Sequence, residues 1–371
     1  MIVYIVTIIY WVFLSLTVTY QRDRLMIQEG DTAGASFYAN RNRLLVLSLL
    51  PIFLLMALKS TSVGADTHQY MLRYEEAERM LGLVSYKSEF GYNYLGYLFH
   101  NLLHFPWQIY LAIVSAFVCI VFGVFIKKYS VNVLFSAYIH LTIGLFTMSM
   151  SGIRQMLAIS LCLVGLMILH EKQKEIKSYI FAAILVAITI TIHNSAVCFI
   201  PILFITSIRL TKVQAYIVNI IAVICGMFFR SQIVRLAKFI IPARYAVYNL
   251  DSGYAINWLV IAITIVIPAF CLVCSFVEND GRYDAKMSTM FIFSALNILF
   301  TFLAINNGQI GRLAYYFQPT YLVIIPLSIR RFSPHSRKLA IYVISIICLI
   351  SFMMGTINGT LRIDNYTFFW N

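Results

Sequence analysis

The sequence predicts an all-α polytopic membrane protein of about twelve transmembrane helices, with an amphipathic helix on the outer surface between the second and third. Three observations carry this. The 371-residue chain is 61% hydrophobic and 12% charged, with a mean hydropathy of +0.82, too little charge to cover a soluble domain of this length. Apolar runs able to cross about 30 Å of hydrocarbon recur from end to end, separated by connections too short to hold a soluble domain. Basic residues collect in short loops, so the formal net charge of +13 reports orientation through the positive-inside rule rather than a nucleic-acid partner. Residues 1–371 read as a single transmembrane domain with two larger outer segments, 59–107 and 230–256.

The opening "MIVYIVTIIYWVFLSLTVTYQRDR" lacks the basic start and small-residue cleavage site of a secretory signal, and reads as a span over 2–20. Further spans are expected near 44–58, 109–126, 131–149, 153–169, 178–192, 195–208, 213–229, 257–277, 287–305, 313–329 and 339–357. Arg22, Arg24, Arg41, Arg43, Lys127, Lys128, Lys172, Lys174, Lys177, Arg330, Arg331, Arg337 and Lys338 mark the cytoplasmic loops, which leaves both termini outside. Between Lys177 and Arg209 lie only 31 residues, where two full crossings need about 40. Either they form two short helices meeting at His193 and Asn194, or they cross once and everything downstream inverts. A polar pair at the centre of one span is costly, which favours the two short helices. The cysteines Cys119, Cys162, Cys198, Cys225, Cys271, Cys274 and Cys348 all sit inside apolar runs, where no loop disulfide forms. The Cys271–Cys274 pair reads as packing, not as a metal site.

Functional signals concentrate on the outer side. In "VGADTHQYMLRYEEAERML", Tyr70, Tyr74, Ala77 and Leu81 recur at helical spacing against Arg73, Glu75, Glu76, Glu78 and Arg79, the pattern of a helix lying along the membrane surface. Asp66, just ahead of it, is either that helix's N-cap or a general base at the lip of a cavity. "SEFGYNYLGYLFHNLLHFPW" holds Glu89 with Phe90, Tyr92, Tyr94 and Tyr97, rings that serve as an interfacial belt or as platforms for a sugar face. "TMSMSGIRQMLAISLCLVGLMILH" contains one full charge, Arg154, at the outer start of a span. Such an arginine either snorkels or pairs with a carboxylate, or it meets an anion. Arg230, Arg235, Lys238 and Arg244 share a second outer segment with a single acid, Asp251, and Arg312 opens a third. Arginines brought by three segments to the side that should be poor in them point to an anionic substrate, since guanidinium forks match phosphate oxygens with paired hydrogen bonds. His193 in "TIHNSAVCFIP" is either a backbone-bonded helix-end histidine or a further titratable site group.

Five motifs, "VGADTHQY", "EFGYNYL", "SGIRQMLA", "HNSA" and "GRLAYYF", follow one another across nearly the whole chain, and in this order they resemble the EpsG family of exopolysaccharide polymerases, relatives of the Wzy polymerases. The resemblance implies a multi-pass bacterial inner-membrane glycosyltransferase, similar to the GT-C type, that joins repeat units carried on undecaprenyl diphosphate on the periplasmic side. It implies Arg154, Arg244 and Arg312 as diphosphate-binding groups, with Arg230 and Arg235 as second choices. Asp66 is the first choice of base, His193 the second and Glu89 the third. Tyr92, Tyr94 and Tyr315 are the sugar-packing rings. No cofactor is implied, and the lack of an outer Asp-x-Asp pair speaks against a catalytic divalent ion. The implied partners are lipid-linked oligosaccharides, the bilayer, a flippase and a chain-length regulator. A lipid-linked oligosaccharide flippase and a glycan ligase are the alternatives: the first needs no base, the second differs only in its acceptor groove.

Overall fold

The computed structural model describes residues 2–29, 33–82, 89–172, 175–233, 235, 258–275, 283–305, 308–357 and 361–371, and among these every regular element is helical. The β-type contact among them is an isolated antiparallel bridge between Lys59 and Phe368. In chain order the helices are α1 (Ile2–Glu29), α2 (Ala33–Ala57), α3 (Thr67–Glu75), α4 (Ala77–Gly82), α5 (Phe90–Tyr97), a π-helical turn Leu98–Leu102, α6 (Trp107–Tyr129), α7 (Val133–Thr142), α8 (Leu145–Ser151), α9 (Ile153–Glu171), α10 (Ile176–Ile192), a 3₁₀ turn Asn194–Phe199, α11 (Ile202–Ile205) and α12 (Lys212–Phe228). Beyond these lie Trp258–Ser275, Ala285–Leu303, Tyr321–Arg330 and Pro334–Ile357, with short turns before Tyr321.

Four described helices are long and apolar enough to cross a membrane: α6, α9, Ala285–Leu303 and Pro334–Ile357. A fifth forms if α7 and α8, bent by 54°, make one span. The bend sits at Gly144, whose φ of +104° is a conformation that side-chain-bearing residues avoid. Shorter apolar helical stretches run over Ile2–Val18, Ile176–Ile192, Asn194–Ile205, Lys212–Phe228 and Ile261–Cys274; α10, with 17 residues, rises only about 26 Å. The break anticipated at His193 is present. α10 ends at Ile192, His193 is extended at φ −149° and ψ 113°, and the chain resumes as the 3₁₀ turn from Asn194. Polar starts are explicit: Thr211 and Gln214 close a reciprocal capping box on α12, and Asp284 Oδ1 accepts from Met287 N at 2.8 Å, contacts worth about 1 kcal/mol each. On α10, Ile176, Ile180, Ile184 and Ile188 form an i, i+4 stripe at least half exposed. An apolar stripe of that kind is stable where the surrounding solvent is lipid.

The chain divides into two compact units, Met1–Glu78 with Gly96–Leu157 and Tyr342–Asn371, and Arg79–Leu95 with Ala158–Ile341. In the first, α2 packs on α6 and α7, and the buried Tyr4 ring meets Phe146, Phe352 and Tyr366 edge-on at 6.0, 5.7 and 6.1 Å. Its hydroxyl donates to Ile363 O at 2.7 Å. In the second, α12 packs along Ala285–Leu303, where a side chain on Gly226 would meet Phe302 at 2.6 Å. Ser294 Oγ donates a buried 2.7 Å hydrogen bond to Asn219 Oδ1 in the same seam.

The surface helix expected over Tyr70–Leu81 is two helices, broken at Glu76. Its apolar face survives the break, with Tyr70, Tyr74 and Ala77 all buried. Ala77 and Tyr74 pack on Gly96, whose absent side chain would stand 3.5 Å from Ala77 Cβ. A straight helix is not needed to bury that face once α5 supplies a glycine to close against it.

Candidate functional site

In the first unit the "VGAD" turn, the start of α3 and the start of α9 meet. Gly64 has φ +95°, and a Cβ there would stand 2.1 Å from Met150 O, so only glycine fits. Lys59, just beyond α2 and fully buried, donates to Thr67 Oγ1 at 2.9 Å and to Met150 O. Thr67 Oγ1 reaches the same carbonyl at 3.3 Å. Burial pushes the Lys59 ammonium down to about 7. The C-terminal segment straps the turn from outside: Gly64 N donates to Arg362 O and Ala65 N to Leu361 O, both at 2.9 Å.

Arg154 lies in the first turn of α9, after Gly152 ends α8, and its Cζ stands 4.9 Å from the centroid of the buried Tyr70 ring. A guanidinium over a ring face is attracted to it by the ring quadrupole. Asp66 occupies the N-cap position of α3, yet its side chain makes no capping hydrogen bond. It lies four residues ahead of Tyr70, which puts the two on neighbouring positions of one helix face.

The second unit holds another polar group. Glu89 Oε1 lies 2.5 Å from His193 Nδ1 and accepts from Asn194 N at 3.3 Å. Both side chains are mostly buried, at 10% and 17% exposure. Gly91 lets α5 approach the end of α10, since a Cβ there would meet Thr191 Oγ1 at 2.2 Å. Ser195 Oγ and Tyr316 OH are 3.0 Å apart.

Of the sequence candidates, the structure therefore joins Glu89 with His193 and seats Arg154 on Tyr70. Asp66 falls in the first unit, and Glu89 and His193 in the second. Arg312 is half-buried in the turn before Ala314–Phe317; Arg230 is half-buried and Arg235 exposed beyond α12. Arg244, Lys238 and Asp251 lie outside the described residues. Tyr92 is buried, Tyr315 half-buried, and Tyr94 is about half exposed, stacked on Phe90 at 6.2 Å. Among the described residues no three His, Cys, Asp or Glu side chains group as metal ligands. Sequence reasoning missed Lys59, Thr67, Ser195 and Tyr316 as interacting groups, although the last three lie inside the quoted motifs. The motifs pair in space as "VGADTHQY" with "SGIR", "EFG" with "HNSA", and "HNSA" with "GRLAYYF".

No curated protein and no solved structure gives a significant match to the chain. The EpsG family model matches residues 42–368, a range that contains all five motifs. The chain belongs to the EpsG family, which points to a Wzy-like polysaccharide polymerase.

Proposed function

We propose that the protein polymerises oligosaccharide repeat units carried on undecaprenyl diphosphate at the periplasmic face of a bacterial inner membrane, through a GT-C-like bundle of about twelve crossings. The observation that carries this reading is Arg154, whose Cζ stands 4.9 Å from the ring centroid of Tyr70, on the helix that begins with Thr67 directly after Asp66. The growing glycan on its lipid diphosphate is the donor. A hydroxyl oxygen of the incoming unit attacks the donor's anomeric carbon; the bond from that carbon to the diphosphate oxygen breaks, and the electron pair leaves with undecaprenyl diphosphate. Arg154 stabilises the charge that develops there, as a fixed fork in a water-poor site does without a metal ion.

Asp66 accepts the hydroxyl proton, being the carboxylate that the "VGAD" turn sets directly ahead of the helix carrying Tyr70. A second reading gives this task to His193, favoured by the 2.5 Å contact with Glu89, which would fix the ring's tautomer and orientation. Arg244 and Arg312, with Arg230 and Arg235 as second choices, remain proposed diphosphate-binding groups. Tyr92, Tyr94 and Tyr315 remain proposed sugar-packing rings, and a flippase and a chain-length regulator the proposed partners.

The test is made in cells lacking the protein. Polymerase loss leaves single repeat units on lipid diphosphate in the periplasmic leaflet. Accumulation in the cytoplasmic leaflet would instead identify a flippase, and undiminished polymer left untransferred to its final acceptor would identify a ligase.

A further inference from the structure

The stretch Leu98–Trp107, unused in the reaction proposed above, forms an open surface pocket of about 340 Å³ lined by His100, Asn101, His104, Phe105 and Pro106. Three local features set it apart from a packing defect. His100 and Asn101 sit on the π-helical turn Leu98–Leu102, a rare form that occurs mostly as single turns and is frequent at functional sites. His104 has φ +55°, a left-handed conformation that a side-chain-bearing residue holds at a cost of about 1 kcal/mol or more. Asn101 Oδ1 is buried with no hydrogen-bond partner among the described residues, while its Nδ2 donates weakly to Glu78 Oε2 at 3.4 Å. A buried acceptor without a partner is costly, and a small turn of this amide would bring it to the pocket that Asn101 lines.

The wall behind is aromatic. Tyr74 stacks on Tyr110 at 4.6 Å, meets His100 at 5.0 Å and Trp107 at 5.7 Å, and donates its hydroxyl to Phe105 O at 2.7 Å. Tyr74 is one turn along α3 from Tyr70, the ring under Arg154, a step of about 6 Å. One helix therefore supports both the guanidinium and the pocket.

We propose that this pocket is a subsite for a neutral sugar residue of the repeat unit, with His100, His104 and Asn101 hydrogen-bonding its hydroxyls and the aromatic cluster supporting them. Imidazole and amide groups offer donors and acceptors without a fixed charge, which suits uncharged hydroxyls better than phosphate. The proposal rests on the polymerase reading for the identity of its ligand, and it is tested by binding rather than by turnover.

The probe is the repeat-unit oligosaccharide released by mild acid from the host's lipid-linked pool, added to the full-length protein in nanodiscs and followed by saturation-transfer NMR. Two variants leave folding intact by construction. His104→Gly relieves the left-handed backbone, and Asn101→Leu removes a buried unpaired acceptor, so each keeps or raises the melting temperature. Each is expected to weaken oligosaccharide binding roughly tenfold, as the loss of a hydrogen bond or two does. Wild-type binding in both variants, or no binding by the wild-type protein, overturns the subsite. Binding lost in the variants of a protein that makes no polymer would uphold the subsite and remove the polymerase reading; normal polymer with unaffected variants would do the reverse.

Discussion

Replacing Arg154 with lysine keeps the positive charge and removes the planar fork that stands 4.9 Å from the Tyr70 ring centroid. Two magnitudes separate the consequences. Losing the ring contact costs about 0.5–2 kcal/mol of stability, depending on how dry the pair is. Losing a preorganised group from a developing oxyanion costs about 2.7–4 kcal/mol of transition-state stabilisation, on the order of a hundredfold to a thousandfold in rate. The variant should therefore insert and melt close to wild type while polymerising far more slowly. Lipid-linked repeat units are supplied to purified protein, and ladder formation is normalised to the monodisperse fraction. Tyr70→Phe keeps the ring and should retain activity, whereas Tyr70→Leu frees the guanidinium and should lower kcat. Near-normal polymerisation by Arg154→Lys would refute the reasoning and leave Arg154 as a charge that merely reaches for water.

Asp66→Asn, which keeps the side chain's size and removes its basicity, should abolish turnover while the protein still inserts; full loss in His193→Gln with activity surviving in Asp66→Asn would transfer the base to the Glu89–His193 pair. Lys59 is neutral in the folded protein above about 7, where the unfolded chain's lysine keeps its proton up to 10.5. The unfolded state then binds more protons, so stability should rise with pH between those values by up to about 1.4 kcal/mol per unit and stay level below 7. Thermal melts of Lys59→Met should lack that slope. In a cysteine-free background, cysteines at Ser62 and Ser231 should both react with an impermeant thiol reagent added outside; reaction at Ser62 alone would establish the inverted arrangement after residue 193. Polymerisation should survive a strong chelator, and loss restored by magnesium or manganese would overturn the metal-free mechanism.

Helical class was legible because composition alone fixes the solvent, and in lipid a helix satisfies its own backbone. The break at His193 was legible for the same reason: a polar pair and a shortage of residues cannot both be fitted into one straight span. The bend at Gly144 was not, since a left-handed glycine inside an apolar run leaves no trace in hydropathy. Candidate residues stood out where a charge sat against its surroundings, as at Arg154 and Asp66. Lys59 escaped because a lysine ending a span reads as an interfacial anchor, and its complete burial depends on Thr67 and Met150, the latter 91 positions away. The Glu89–His193 contact spans 104 positions, and nothing local in either motif specifies the other. His104 was passed over because its signal is a backbone angle rather than a residue pattern.

The measurement that bears most directly on the polymerase reading is the stoichiometry of a reconstituted reaction. Purified protein in liposomes, given radiolabelled lipid-linked repeat units and no other enzyme, should build a ladder of even steps and release one undecaprenyl diphosphate for each new glycosidic bond. Translocated but unpolymerised repeat units, with no diphosphate lipid released, would contradict it.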